Sequence, residues 1–188
     1  MSDSADQGGP TQPPYSIEPF DPVRHDRNGF SCGVEAVDNY FKKTANKLAE
    51  SGNVRLFVMV SADRALIGFY AINAHSVDFR ELPRRYARTR PGHGSIPAAF
   101  IAMIGRDQRY SGSGFGGDLL VDALRRIACA ADSLGIAVAL LDVLDCGDPH
   151  RTARRQDLYK GYGFQPLPSN PTRLFLPLSA IRGLITER

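Results

Sequence analysis

The sequence predicts an α+β layer sandwich built on one mixed sheet. Three observations carry that prediction. Apolar, β-prone runs alternate with helix-patterned segments along most of the chain. A close strand pair precedes a β-α-β-α-β series, so hairpin and crossover connections share one sheet. A glycine-rich stretch, Arg109 to Gly117, joins a strand to a helix past mid-chain rather than near the start.

Residues 1–15 are polar and rich in Pro, Ser, Asp and Gln, without the basic and apolar regions of a signal peptide. They read as a flexible leader, and residues 16–188 read as a single domain. Residues 17–20 form a short strand and 21–25 a turn. Val34, Val37, Phe41, Ala45 and Leu48 make a helical stripe over residues 34–50, punctuated by Gly33 and Gly52. Residues 55–61 and 65–74 are strands separated by Ala62, Asp63 and Arg64, which suits a hairpin. Residues 80–94 are loop or short helix, and 98–104 are the strand that feeds the glycine stretch. A long helix covers 115–133 and breaks at Gly135, followed by a buried strand at 136–144. A helix at 151–162 closes at Gly163, and 173–178 is the last strand. The pattern contains no repeat and no second domain.

Composition narrows the class. A chain of 188 residues, 43% hydrophobic and 23% charged, suits one ordinary globular domain and excludes a disordered chain. No apolar run approaches the roughly 18–20 residues that cross a bilayer. Cys32, Cys129 and Cys146 are widely spaced, and His25, His75, His93 and His150 show no ligand spacing. Metal sites usually announce themselves by paired ligands, so neither a metal nor a disulfide framework is expected, and a reducing cytoplasm is.

The net charge is only +3, but it is unevenly distributed. Arg80, Arg84, Arg85, Arg88 and Arg90 fall close together, Arg151, Arg154 and Arg155 form a second group, and Arg106 and Arg109 lie between. Such runs are either solvated faces or a landing surface for a polyanion such as RNA, where arginine neutralises phosphate.

Glycines at a helix entrance expose backbone N–H groups beside the positive end of the helix dipole, a ready site for phosphate. Two readings fit. Gly112-x-Gly114-x-x-Gly117 matches the dinucleotide fingerprint, with Asp142 as the ribose acid. That acid belongs about 20 residues beyond the motif, whereas Asp142 lies 25 residues past Gly117. A nucleotide-binding domain also normally opens with its glycine loop, and this one follows a hairpin. The rival pattern, Arg109-x-x-Gly112-x-Gly114, resembles the acyl-CoA loop of the GNAT acetyltransferases, and the element order favours it.

Separated segments extend that resemblance. Phe30-Ser31-Cys32-Gly33 followed by Val37-Asp38-Asn39-Tyr40-Phe41 resembles the opening of GNAT toxins from bacterial toxin–antitoxin operons. Leu158-Tyr159-Lys160-Gly161-Tyr162-Gly163-Phe164 is similar to the family's "F-Y-x-x-x-G-F" element. The stretch Arg173-Leu174-Phe175-Leu176-Pro177-Leu178 resembles its "R-L-F-L-P-L" closing strand. The sequence departs from the pattern at Ser113, usually Lys or Gln, and in a longer segment with Gly147, Asp148 and Pro149 on the acceptor side.

The resemblance implies a GNAT-like fold, a mixed but mostly antiparallel central sheet flanked by helices, with acetyl-CoA as cosubstrate and no metal. It implies that Ile104, Gly105 and Arg106 pair with the pantetheine arm. Amides of Arg109, Ser111, Gly112, Ser113 and Gly114, plus Gly116, would hold the pyrophosphate. A backbone N–H near Ile104 would polarise the thioester carbonyl. Tyr159 would protonate the leaving thiolate, while Tyr162 reads as packing. No general base stands out. An α-amine, with a pKa near 8, is already neutral in part at pH 7, whereas a lysine amine near 10.4 is not. The toxin resemblance implies aminoacyl-tRNA as acceptor, with Arg84, Arg85, Arg88 and Arg90 as candidates to hold it. It also implies a cognate antitoxin, often a ribbon-helix-helix protein, and a homodimer. Two other readings stay open: acetylation of a small amine or a protein N-terminus, and a CoA- or partner-binding module without turnover.

Overall fold

The computed structural model describes residues 15–88 and 91–186. Arg90 and leader residues 1–14 lie outside the described residues. Tyr15 already belongs to the first strand, β1 (Tyr15–Pro19), followed by β2 (Arg55–Ser61), β3 (Leu66–Asp78) and β4 (Ser95–Arg106). Then come β5 (Val138–Asp142), β6 (Gln165–Leu167) and β7 (Asn170–Pro177). They make one sheet in the order β1-β2-β3-β4-β5-β7-β6. Neighbours are antiparallel except β4 and β5, which run parallel. The mixed, mostly antiparallel sheet is the one the sequence predicts.

The predicted first helix is α1 (Glu35–Asn39) running through a π-helical turn, Tyr40–Thr44, into α2 (Ala45–Glu50). Its stripe survives, with Val37, Phe41 and Ala45 buried against Phe69 and Ala71 of β3. A short helix, α3 (Arg84–Ala87), occupies the arginine-rich stretch. On the opposite face α4 (Phe115–Ala130) buries Leu119, Leu120, Ala123, Leu124 and Ile127. Each fully buried Leu or Ile stabilises by about 1.5–3 kcal/mol, which holds in place a helix that begins on an uncapped glycine. The sheet feeds both faces by alternation: in β5, Ala139 and Leu141 join the α4 side, and Val138 and Leu140 the other.

The helix α5 (Pro149–Gly161) begins two residues before its predicted start. Asp148 accepts from the N–H groups of His150 and Arg151, and Pro149 fits the first turn, where its missing N–H costs nothing. β6 and the terminal α6 (Leu178–Thr186) are additions to the predicted set. The three residues of β6 are too few to show a period, and α6 follows Pro177 with no polar break.

One irregularity shapes the sheet. β4 and β5 pair only from Ala98↔Val138 to Ile101↔Leu141. At that level the β3–β4 register slips between Ala71 and Ile72, opposite the Ile101–Met103 segment. Such a bulge bends its strand, and β5 leaves as β4 continues to Arg106. The end of β4 is therefore paired on one side only, beside an open gap.

Candidate active site

The segment after β4 turns through Asp107. This carboxylate is 1% exposed and accepts from the backbone N–H groups of Ser31 (3.1 Å) and Arg109 (2.9 Å). It also receives Nε (2.9 Å) and Nη2 (3.0 Å) of Arg109. Burial alone would raise its pKa, but these donors outweigh that and hold it below the ordinary value. Asp38 in turn accepts from the Ser31 hydroxyl and the Cys32 N–H. The Phe30–Gly33 motif is thus strapped to both the glycine loop and α1. Gly105 has no room for a side chain: a Cβ would meet Val37 Cγ1 at 2.8 Å and Phe69 Cε1 at 2.9 Å.

Beyond Asp107 the chain makes a 3-10 turn, Gln108–Tyr110, and enters α4 through Gly114, whose φ of 78° favours glycine. The N–H groups of Arg109, Tyr110 and Ser111 are already bonded to Asp107 and Gln108. The N–H groups of Gly112, Ser113, Gly114, Phe115 and Gly116 have no acceptor among the described residues. A Cβ built at Gly112, Gly114 or Gly116 would stand in open space. Five unpaired amides at a helix N-terminus, three of them on glycines in open space, suit a diphosphate. Of the amides the sequence reading named, those of Gly112, Ser113, Gly114 and Gly116 are unpaired among the described residues, whereas those of Arg109 and Ser111 are used within the turn and the Arg109 side chain serves Asp107.

A cleft of about 290 Å³ opens beside this loop, lined by Cys32, Ile104, Gly105, Arg106, Ser111, Gly116, Leu119, Arg151, Arg154, Arg155, Leu158 and Tyr159. It gathers six of the predicted residues: Ile104, Gly105, Arg106, Ser111, Gly116 and Tyr159. Gly112, Ser113 and Gly114 form the adjoining rim by sequence. The far wall is the arginine face of α5, which sequence reading assigned only to a general polyanion surface. Its signal was present: Arg151, Arg155 and Tyr159 are spaced i, i+4, i+8, so they share one helix face. Among the described residues no acidic side chain lines this cleft, so its field is positive. Arg84, Arg85 and Arg88 do not line it. Arg85 donates to Gln165 and lies 4.7 Å from the Tyr86 ring, and Tyr86 packs edge-on against Phe175 of β7.

Tyr159 is fixed by the end of α5. Gly163 takes φ 89°, its N–H donates to the Lys160 carbonyl, and the Phe164 N–H donates to the Tyr159 carbonyl. That is a Schellman cap, and its usual apolar contact is here the Tyr159–Phe164 ring pair at 6.2 Å. The Y-x-x-x-G-F motif is therefore the means of holding one tyrosine. Tyr162 instead sets its hydroxyl close over Gly117 and packs with the α4 side of the core.

Tyr159 is 4% exposed, and its hydroxyl has no hydrogen-bond partner among the described residues. Burial pushes its pKa up to about 12, Arg155 pulling down and Cys146 pushing up, so the phenol is protonated at neutral pH. With Ile104 and Arg155 it lines both the cleft and a narrower space of about 120 Å³ between β4 and β5. Phe100, Ile101, Ala102, Met103, Leu141, Asp142 and Leu144 complete that gap. Cys32, also in the cleft, has its thiol pushed up to about 12 by burial and the Asp38 carboxylate, so it stays a thiol at neutral pH. No group of side chains that could hold a metal ion occurs among the described residues.

No family model matches the chain. It is 64% identical over 170 residues to the probable toxin TacT of Sinorhizobium fredii, covering 90% of this chain and 94% of that protein. It is 32% identical over 162 residues to the tRNA-acetylating toxin of Mycobacterium tuberculosis, covering 86% and 92%. AtaT complexed with acetyl-methionyl-tRNAfMet superposes with a TM-score of 0.79 at 22% identity, over 91% of this chain and 99% of that one. A tyrosine-to-phenylalanine variant of AtaT bound to the C-terminus of the antitoxin AtaR and acetyl-CoA gives 0.74 at 20%, over 93% and 99%. The sheet, its gap and these identities agree: the chain belongs to the TacT toxin family and has the GNAT acetyltransferase fold.

Proposed function

We propose that this protein transfers acetyl from acetyl-CoA to the α-amine of aminoacyl-tRNA, blocking peptide-bond formation and so translation. One observation carries the chemistry: Tyr159 stands where the cleft meets the β4–β5 gap, its hydroxyl without a hydrogen-bond partner among the described residues, in the cleft that the glycine loop borders. A donor with a diphosphate at the loop and an acetyl thioester near Ile104 presents its sulfur at that junction. The amides of Gly112 to Gly116 hold the diphosphate, which can approach closely because Gly112, Gly114 and Gly116 carry no Cβ. Ile104, Gly105 and Arg106 offer the one-sided strand edge to the pantetheine amides. A backbone N–H near Ile104 polarises the carbonyl, and Tyr159 delivers a proton to the departing sulfur.

The acceptor follows from charge and pKa. Among the described residues the cleft presents arginines and no carboxylate base, which suits an α-amine already neutral in part, carried on a polyanion. Two relatives point the same way, since one is named a tRNA-acetylating toxin and AtaT has been solved with an acetylated aminoacyl-tRNA. An antitoxin partner is inferred from the AtaR complex, and a cytoplasmic site of action from the substrate. No helix among the described residues is long and apolar enough to cross a membrane. The test is mass spectrometry of charged tRNA after incubation with the protein and acetyl-CoA. An added acetyl on the aminoacyl nitrogen is expected. Acetyl-CoA turnover with unmodified tRNA, and label on a small amine or protein N-terminus, rejects the tRNA reading.

A further inference from the structure

We infer that Arg155 is a positioning residue for proton delivery, its guanidinium steadying the negative charge left on the Tyr159 oxygen when the proton departs. The inference rests on the acetyl-transfer reading above. Arg155 lies one helical turn before Tyr159 on α5, so the two side chains rise from one face. Among the described residues only Arg155, Tyr159 and Ile104 line both the cleft and the β4–β5 gap. Arg151 and Arg154 line the cleft alone, and Arg151 is tied to the Gly33 carbonyl. Arg155 thus borders the β4–β5 gap as well as the cleft.

Its lack of partners is the second observation. Arg173, Arg109 and Arg126 are each held by a carboxylate. Arg155 is half-buried yet has no hydrogen bond or ion pair among the described residues. A part-buried cation without a counter-charge costs stability, so its placement fits an anion that exists only during turnover.

The proton balance supplies that anion. The amine nitrogen bonds to the carbonyl carbon, the carbon–sulfur bond breaks, and its electron pair goes to sulfur. The sulfur takes the Tyr159 phenolic proton, and the phenolate then recovers the proton that the new amide nitrogen sheds. A thiol near 8.5 is a stronger acid than a buried phenol, and burial here lifts Tyr159 to about 12. That value already includes the pull of Arg155, so proton transfer runs uphill even beside the guanidinium and would run further uphill without it. The groups acting on Tyr159 are Arg155, which favours the anion, and Cys146, which opposes it.

The experiment is a kinetic double-mutant cycle of the parent, Arg155→Gln, Tyr159→Phe and the double variant, with acetyl-CoA and charged tRNA. Arg155→Gln is expected to lower kcat roughly 10–100-fold while KM for acetyl-CoA moves less than about threefold. In the Tyr159→Phe background the same change is expected to cost less than about twofold, because the group it serves is gone. Arg155→Lys, which keeps the charge, is expected to recover most of kcat. A full loss from Arg155→Gln in the Tyr159→Phe background overturns the inference. So does an effect confined to KM of either substrate, which would make Arg155 a phosphate clamp. Parent-like turnover by Tyr159→Phe alone instead sinks the role of Tyr159, a failure read in a different variant. Melting temperature and calorimetric acetyl-CoA binding, measured on each protein, separate these results from misfolding.

Discussion

Replacing Asp107 by alanine should untie the glycine loop from the segment that supports it. Asp107 is buried and takes four hydrogen bonds, from the Ser31 N–H and from one backbone and two guanidinium donors of Arg109. Leaving the part-buried Ser31 N–H unpaired costs about 1–3 kcal/mol, and losing the cap on the Arg109 N–H about 1 kcal/mol. The guanidinium contributes about 0–1 kcal/mol, because the Arg109 side chain is 60% exposed and screened by water. A loss of roughly 2–5 kcal/mol lowers the melting temperature of a domain this size by about 4–20 °C. Calorimetry reads that directly, and acetyl-CoA titration should show weaker binding, because the amides beyond Ser111 lose their anchor. The pH dependence has a fixed sign. The folded pKa of Asp107 lies below the ordinary value, so its stabilisation is complete above about pH 4 and fades as pH falls through the folded value. The gap in melting temperature between parent and variant should be constant from pH 5 to 8 and close below pH 4. Melting within 2 °C of the parent at pH 7, with unchanged acetyl-CoA affinity, would refute the reasoning.

Four further outcomes are expected. Gly105→Ala forces a methyl against Val37 and Phe69, both fully buried, and should destabilise by about 1–3 kcal/mol; an unchanged melt would show that this packing yields. Because Tyr159 stays protonated to about pH 12, kcat/KM should rise through the α-amine pKa near 8 and then stay level to pH 9.5, so a fall in that range removes Tyr159 as the acid. Neutralising Arg84, Arg85 and Arg88 together should weaken charged-tRNA binding and flatten its salt dependence, and unchanged affinity at low salt rejects them as a landing surface. A homodimer, implied by the family, should scatter light with twice the 20.6 kDa of one chain; a single-chain mass rejects it.

Period and punctuation made much of the fold legible. The stripe at Val37, Phe41 and Ala45 marks a helix even though a π-helical turn interrupts it. A local bulge in helical winding leaves the buried face recognisable, so periodicity survives what the hydrogen-bond pattern does not. β3 runs on to Asp78, beyond its apolar part, because Ala74 to Asp78 pair with Ala99 to Ser95 of β4. That extension depends on a partner strand some twenty residues away, which a local reading does not weigh. β6 is created by its pairing with β7 for the same reason.

The site divides in a similar way. Glycine positions, a tyrosine followed by Gly-Phe and a strand end are local features, and the fold brings Ile104, Gly105, Arg106, Ser111, Gly116 and Tyr159 to one cleft. What stayed hidden depends on contacts between distant segments. Arg109 looked like an anion ligand because it opens the glycine motif, but Asp107, two residues before it, claims its guanidinium and its N–H. A nearby acid in a tight turn was visible; that its buried carboxylate would also hold Ser31, 76 residues away in sequence, was not. The arginines of α5 were visible as charge but not as a wall. Their side of the helix is set by burial of Tyr159, the one fully buried residue of α5, and by the Gly163 cap that fixes its rotation. Once that tyrosine is placed, i, i+4 spacing sends Arg151 and Arg155 to the same cleft. The order of inference on this helix therefore runs from cap to tyrosine to arginine, opposite to the order in which charge draws the eye.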